Sequence, residues 1–309
     1  MTEMKQNLTV EIPSQPTLVR TKKQTSKKLG FVVLLLPVLF LFLLFFFAPM
    51  IVLFITSFRT FNQSIGVENQ WTIHNYAQFI SDSSYLLILW RTLRIGFITT
   101  IICLILAYPF AYQLVKMPDK LKRLVILFVL SPLLISMVIR SYGWGILLGN
   151  NGFINHLLVN LGITRTPLTL MYTEFSVILG MVHVVFPYMV LSIMGSLERI
   201  DDSLIRASKI LGAGSMRAFF GVTLPLSLPG IFAGSVMVFS LTVSSFVTPS
   251  ILGGAKVKVM SYLTYEQFTN TLNWPYGAAI GFILVFISVI TLVVYSRILS
   301  FSKKGVTIQ

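Results

Sequence analysis

The sequence predicts an all-α membrane protein with six transmembrane helices. Its 309 residues are 55% hydrophobic and only 11% charged, which is too apolar for a water-soluble domain. Six apolar runs reach the roughly 20 residues that a helix needs to cross a bilayer core of about 30 Å. They are continuous rather than alternating, which argues against a β-barrel. The runs are 29–57, 92–115, 124–148, 174–195, 230–252 and 276–299.

The placement of basic residues predicts the orientation. Most of the 24 Lys and Arg residues precede the first run, separate the second from the third, lie between the fourth and fifth, or follow the sixth. The positive-inside rule therefore predicts that both termini and the loop 196–230 face the cytoplasm. The net charge of +14 thus has a topological explanation and does not indicate nucleic-acid binding. We expect a basic cytoplasmic tail over 1–28 beside anionic lipid, one membrane domain over 29–301, and a short cytoplasmic tail over 302–309.

The first two runs and the segment between them are typical of membrane boundaries. No cleavable signal peptide is evident, so we expect the long first run to be a retained helix that faces lipid as readily as protein. His74, in the outer segment 58–85, lacks the neighbours of a metal site. Arg91 and Arg94 open the second run and are expected to snorkel to the outer surface. Cys103 is the single cysteine, so no internal disulfide is possible.

Ionisable and aromatic residues at membrane depth are candidates for a transport pathway. Arg140 lies inside the third run, where a charge is costly and usually faces the bundle interior. Two interpretations stay open: a residue of the pathway, or an arginine that bonds helix-terminal carbonyls. Tyr142 and Trp144 are accordingly either lining of an outer vestibule or interface aromatics. For His183 in the fourth run, a neutral ring bonded to neighbouring backbone is favoured over a pathway role.

The fifth run combines small and polar residues. Gly230 and Gly234 form a GxxxG pattern that permits close backbone approach, and Gly277 and Gly281 repeat it in the sixth run. Hydroxyl residues recur every fourth position on one predicted face, followed by a break at Pro249 and Gly253-Gly254. They are either packing contacts or one polar wall of a translocation route. The residues are Ser240, Ser244 and Thr248, with Ser245 beside them.

The loop 196–230 is the one long polar interruption of the second half, and its pattern predicts two short helices. Asp201 suits an N-cap, and apolar residues then recur at helical spacing. Gly212-Ala213-Gly214 ends the first helix, Ser215 can cap the second, and Pro225 precedes the next apolar run. Two amphipathic helices that meet at a glycine corner can dock on another protein, although composition alone would equally allow a plain connector.

The spacing within this loop resembles the EAA loop of binding-protein-dependent ABC importer permeases. Three residues separate Arg206-Ala207-Ser208 from Gly212, and nine more lead to Val222-Thr-Leu224-Pro225, which matches both intervals of the family pattern. The sequence departs from it where Arg206 replaces an acidic residue and Ser208 replaces alanine. In this family the loop is the coupling helix that inserts into the ATPase subunit. The resemblance thus implies docking, by a contact that lacks the usual acidic residue.

A wider resemblance covers about residues 30–304. The stretches SPLLISMVIRSYGWGILLG, SSFVTPSILGG and NWPYGAAI resemble the first permease subunit of spermidine/putrescine-type systems. The resemblance implies a type I importer permease fold in a bacterial inner membrane. It also implies a second homologous permease, an ATPase dimer that carries ATP and Mg, and an extracytoplasmic solute-binding protein. A polyamine or related amine is the favoured solute. An opine-like compound or an aminophosphonate stays open, because Ser245 stands where polyamine members often have an acid.

The sequence lacks the motifs of other function classes. It has no GxxxxGK[ST] loop, so ATP is not expected to bind this chain by that route, and no cofactor or metal is expected on it. No catalytic constellation lies in the apolar runs, which argues against a membrane enzyme. No clear intramembrane acid supports proton coupling, so a stand-alone secondary transporter or channel is the less favoured alternative.

Overall fold

The computed structural model describes the backbone of residues 25–304 and shows a helical bundle with one small hairpin. Five helices within that range are long and apolar enough to cross a membrane, and six spans result when one bent helical pair is counted as a span. The helices are α1 (Thr25–Ser57), α2 (His74–Ser81), α3 (Ser83–Val115), α4 (Asp119–Leu130), α5 (Met137–Leu148), α6 (Phe153–Asn160), α7 (Glu174–Leu197), α8 (Asp202–Ile210), α9 (Ser215–Ala218), α10 (Leu224–Ser244), α11 (Met260–Thr269) and α12 (Trp274–Lys304). Strands β1 (Arg59–Asn62) and β2 (Gly66–Trp71) pair antiparallel.

The core is formed where α3, α7 and α10 pack together. Small residues let these helices approach closely, and Ala107 and Ala111 on α3 are fully buried. At Gly230 a Cβ atom would lie 2.6 Å from the carbonyl oxygen of Ser192, and at Gly234 one would lie 2.7 Å from the sulfur of Met189. The predicted GxxxG contact is therefore present between α10 and α7.

Helix α1 differs from the others because its side chains are exposed from Leu35 to Pro49, whereas Ser57 at its end is buried. The chain divides into two structural units between Val52 and Leu53, inside this helix. An apolar helix with mean hydropathy 3.1 and an exposed surface is suited to hydrocarbon contact. That the first helix faces lipid as readily as protein stays a prediction. The predicted boundary between the tail and the membrane domain, at residue 28, falls inside α1, which begins at Thr25. Residues 1–24 and 305–309 lie outside the described range.

The third span is broken, so the prediction of one continuous helix over 124–148 is wrong. The helical stretch Asp119–Leu134 and the following stretch Met137–Asn160 meet at an angle of 96°. A 3₁₀ turn containing Pro132 ends the first part, and the Ser136 hydroxyl caps the second by accepting the Val138 N–H. Proline removes a backbone donor, and a serine cap satisfies another, so both favour a break here.

The fifth span also differs from the predicted run 230–252. Helix α10 begins earlier, at Leu224, and ends at Ser244. The chain is non-helical at Ser245 and Phe246, becomes helical again at Val247 and Thr248, and continues into a π turn over Pro249–Gly253. Because the helix stops at Ser244, the predicted row of hydroxyls on one helical face does not extend to Thr248. Helix α12 packs on α11, where Gly277 approaches Gln267 and Phe268.

The N-terminal half of α3 carries an ion cluster, and it corrects the predicted position of Arg91 and Arg94 at the start of the span. Helix α3 begins at Ser83, so both arginines lie inside it rather than at its start. Arg91 Nε lies 3.2 Å from Glu174 Oε1, and Arg94 pairs with the other carboxylate oxygen of Glu174. The arginines therefore tie α3 to the first turn of α7. His74, as expected, is exposed on α2.

Candidate functional site: a docking corner and a membrane cavity

The loop that follows α7 folds into a corner of two short helices. Asp201 caps α8, since its carboxylate accepts the Ser203 N–H at 2.8 Å. This hydrogen bond is the main reason why the pKa of Asp201 lies below its ordinary value, because it favours the charged form. Gly212 ends α8 with φ +84°, and the Ala213 N–H returns to the Ser208 carbonyl at 3.0 Å. This is a Schellman end, which requires a left-handed residue at the Gly212 position.

The corner presents an exposed apolar surface. Ile210 and Leu211 at the end of α8 are 86% and 88% exposed, and Met216 on α9 is 72% exposed. Large apolar side chains clustered with this exposure are typical of protein docking sites. We call Ile210, Leu211 and Met216 the docking surface. It lies on the corner that the sequence pattern singled out.

The motif residues of the loop have distinct positions. Arg206 and Ala207 are exposed on α8, while Ser208 is half-buried and donates its hydroxyl to the Ile205 carbonyl at 2.8 Å. Gly212 and Ala213 form the turn, and Leu224 and Pro225 lie in the first turn of α10. The motif therefore covers α8, the turn and the entrance to the span.

The sequence predicts that the second helix of the corner is a separate short helix, and this prediction is wrong. Helix α9, a π turn over Phe219–Thr223 and α10 follow one another without interruption, so Ser215–Ser244 is one apolar helical stretch. The N-cap of α9 is Gly214, without a side-chain hydrogen bond, and the prediction that Ser215 caps this helix is wrong. A continuous helical connection thus runs from the corner into α10.

A cavity of about 250 Å³ lies between α5, α7 and the end of α10. Ser244 and Ser245 are the predicted pathway residues that line it, and Tyr188 and Phe246 add two aromatic rings. The other lining residues are apolar; they are Met137, Met181, Val184, Val185, Leu241 and Val247. The C-terminal end of a helix carries partial negative charge, so the end of α10 makes this cavity favourable for a positive group.

Ser240 and Thr248 are not among the cavity's lining residues. Ser240 is half-buried on α10, one turn before Ser244. The Ser244 hydroxyl donates a hydrogen bond to the Ser240 carbonyl. Thr248 is buried, and its hydroxyl lies 3.1 Å from that of Ser141 on α5. A Cβ atom at Gly180 would lie 2.9 Å from the methyl of Thr248, so α7 passes close behind. Thr248 therefore joins the break after α10 to α5 and α7.

Arg140 bonds a carbonyl at the helix break, which is the second of its two sequence interpretations. Its side chain is 8% exposed, and Nη2 donates to the Ile135 carbonyl at 2.9 Å. Nε and Nη1 have no hydrogen-bond partner among the described residues. A buried guanidinium with unused donors is costly, so Nε and Nη1 are free to bind an acceptor from outside the described residues.

The neighbouring ionisable and aromatic residues form a second contact. Trp144 Nε1 donates to His183 Nδ1 at 3.1 Å, which joins α5 to α7. The sequence analysis favoured a hydrogen bond from His183 to neighbouring backbone, but the partner in the structure is the indole of Trp144. Tyr142 is exposed on α5. Within the described residues, no group of three His, Cys, Asp or Glu side chains could hold a metal ion.

Sequence reasoning missed several residues of the cavity. Tyr188 and Met181 lie in an apolar run where nothing distinguishes a lining residue from a packed one. Phe246 stacks on Tyr265 with ring centroids 4.9 Å apart, a contact between distant segments that spacing does not reveal. Pro249 does not mark the end of α10, because the break lies at Ser245 and Thr248, the residue before the proline, has helical backbone angles.

Comparisons with known proteins agree with this architecture. Residues 26–301 match the family described as binding-protein-dependent transport system inner membrane component. The spermidine/putrescine transport system permease protein PotB of Escherichia coli K12 is 34% identical over 266 residues, covering 86% of this chain and 96% of PotB. PotB of Haemophilus influenzae is 34% identical over 261 residues, covering 84% and 91%.

A solved bacterial ABC transporter involved in the import of the acidic polysaccharide alginate shares the fold. Its matching chain has a TM-score of 0.75 at 16% identity, with 93% of this chain and 99% of that chain covered. Homology to importer permeases decides against the stand-alone transporter and the membrane enzyme considered from the sequence. The chain belongs to the family of binding-protein-dependent transport system inner membrane components and is a permease subunit of a bacterial ABC importer.

Proposed function

We propose that this permease is half of the membrane pathway of an importer for a polyamine or a related amine, and that its corner α8–α9 docks on an ATPase subunit. The single observation that carries the docking role is the exposure of Ile210, Leu211 and Met216 on the corner of α8 and α9. Burying these side chains against a partner would remove a large apolar area from water, at roughly 25 cal/mol per Å².

The proposed complex contains a second homologous permease, an ATPase dimer and an extracytoplasmic binding protein. ATP and Mg are bound and used by the ATPase, and the corner faces the cytoplasm. The family description supports the binding protein, since it names transport that depends on one. The EAA-type spacing from Ala207 to Pro225 supports the ATPase contact. The exposed Arg206 gives that contact a basic residue where the family pattern has an acidic one.

The chemistry of the cavity supports an amine as the solute. The partial negative charge at the end of α10, the Ser244 hydroxyl and the rings of Tyr188 and Phe246 can each accept an ammonium group. None of the lining residues is a carboxylate. Arg140 on α5, which is not among the lining residues, adds a positive charge to this part of the bundle and does not attract a cation. Attraction in this permease is therefore weak, and selection rests on the binding protein.

An opine-like compound or an aminophosphonate is the second candidate for the solute. The specific observation in its favour is Arg140, whose Nε and Nη1 donors have no partner among the described residues. Such donors suit a carboxylate or phosphonate. An ammonium group at the end of α10 and an anionic group toward α5 would together fit a zwitterion.

Two measurements test the proposal. The tagged chain is purified from native membranes in several mild detergents, and co-purifying proteins are identified by mass spectrometry. A Walker-type ATPase and a second permease with an EAA-type loop are expected; recovery of the chain alone in every detergent contradicts the complex. Uptake of labelled spermidine is then compared in cells with and without the chain, in competition with putrescine and 2-aminoethylphosphonate. Competition by the phosphonate alone contradicts the polyamine assignment.

A further inference from the structure

An aromatic bracket joins the corner to α3. Phe219, the first residue of the π turn, packs edge-on against Tyr108 and Tyr112, with ring centroids 5.7 Å and 5.3 Å apart. Tyr108 and Tyr112 are one helical turn apart on α3, so the two rings face Phe219 together. A π turn inside a helix is uncommon and is frequently found at functional sites.

Both tyrosines of the bracket are held from their other side. The Tyr108 hydroxyl lies 2.9 Å from that of Ser227, a fully buried residue whose hydroxyl bonds the Leu224 carbonyl. Lys116 places its ammonium 3.7 Å from the centre of the Tyr112 ring. The bracket cannot turn away from Phe219 without losing these contacts. These contacts favour a common movement of Phe219 and α3.

The bracket, whose three rings are half-buried, is the aromatic route from the corner to α3. Helix α8 packs chiefly on α9 and the π turn, so its displacement reaches the membrane helices through that turn. A second link, the ion pair of Lys122 with Glu198 at the end of α7, is partly exposed on both sides. Partly exposed ion pairs are screened by water and salt and transmit little force. Packed rings have discrete arrangements and are better suited to this task.

We propose that Phe219 is a positioning residue for energy coupling: wedged between Tyr108 and Tyr112, it transmits movement of the α8–α9 corner to α3. This inference rests on the proposed docking of the corner on an ATPase. It adds the way in which the docked corner reaches the pathway: α3 packs on α7, whose residues Met181 and Tyr188 line the cavity. Without the Phe219 ring, movement of the corner is no longer transmitted to α3, so ATP hydrolysis no longer responds to the loaded binding protein.

The test compares Phe219→Ala with Phe220→Ala. Phe220 is the adjacent aromatic residue and is 57% exposed; its ring contacts Phe219, with centroids 5.1 Å apart, but neither tyrosine of the bracket among the ring contacts of the described residues. Each variant is purified with the ATPase that accompanies it and placed in lipid nanodiscs. ATPase rates are measured with and without binding protein loaded with the transported solute. The ratio of stimulated to basal rate is expected to fall toward one in Phe219→Ala and to match the wild type in Phe220→Ala.

Other outcomes are distinguishable. A wild-type ratio in Phe219→Ala, with normal ATPase recovery, overturns the bracket and leaves the docking intact. Absence of ATPase from the wild-type preparation overturns the docking itself. If Phe219→Ala does not accumulate, Phe219→Leu and Phe219→Tyr decide: Leu keeps the bulk without the ring and is expected to lower the ratio, whereas Tyr keeps the ring and is expected to preserve it. Equal ratios in Leu and Tyr overturn the inference.

Discussion

Replacing Gly212 by alanine tests the geometry of the docking corner. Gly212 has φ +84°, a conformation that costs an L-residue about 1–2 kcal/mol relative to glycine. No heavy atom lies within 4 Å of a Cβ built there, so the cost is one of backbone conformation and not of packing. If the whole cost falls on the docking-competent corner, the apparent Kd for the ATPase rises about fivefold to thirtyfold, at 1.4 kcal/mol per factor of ten.

Gly214→Ala is a matched control two residues away. Its Cβ also meets no atom within 4 Å, but its φ of −63° suits any residue. The assay titrates purified ATPase onto nanodiscs that hold the variant permeases and measures binding. We expect weaker binding for Gly212→Ala, unchanged binding for Gly214→Ala, and a larger loss for Gly212→Pro, which also removes the N–H that bonds the Lys209 carbonyl at 3.0 Å. Equal affinities for the two alanine variants would refute the reasoning.

Four further predictions concern other parts of the molecule. Ala207→Asp places a charge on the exposed face of α8 and is expected to abolish uptake while the protein still inserts; wild-type uptake would remove the docking claim. Ser244→Leu fills part of the cavity and is expected to lower uptake without loss of assembly, whereas unchanged uptake would favour a packing role. The cap lowers the pKa of Asp201, so the cap stabilises α8 fully above the ordinary Asp pKa, and this stabilisation is lost as the pH falls through the lowered pKa. We therefore expect ATPase binding to weaken over that pH range, and Asp201→Asn should abolish the pH dependence. Gly230→Val collides with α7 and should lower the thermal midpoint of the purified protein by an overpacking cost of about 1–3 kcal/mol, whereas Gly195→Val on α7, whose Cβ meets open space, should not.

The sequence was most informative where local chemistry decides the structure. The glycine corner after α8 follows from a left-handed residue that only glycine adopts at little cost, and the Asp201 cap follows from the free N–H groups of a first helical turn. The close approach of α10 to α7 follows from Gly230 and Gly234 in the same way. Each of these features is set by residues a few positions apart.

The sequence was least informative where distant contacts decide. Arg91 and Arg94 lie inside α3 because both pair with Glu174. A partner that is 80 residues away from Arg94 leaves no pattern in the local sequence from which the pair could be predicted. The break after Ser244 releases Thr248 from the expected helical face, and Ser141 on α5 then binds it. The 96° bend of the third span has a local signal in Ser131-Pro132, but the run 124–148 was predicted from its apolar length, which does not reveal a break.

Site-specific photo-crosslinking tests the central claim, that the α8–α9 corner docks on an ATPase, most directly. A photoreactive amino acid is placed at Leu211, which is 88% exposed on the docking surface, and in a control at Leu134, which is 84% exposed in the 3₁₀ turn of the third span. Irradiated membranes are analysed for adducts by mass spectrometry. The account predicts a crosslink from position 211, and not from 134, to a Walker-type ATPase. An ATPase adduct from 134 alone, or none from 211 while the ATPase co-purifies, would contradict it.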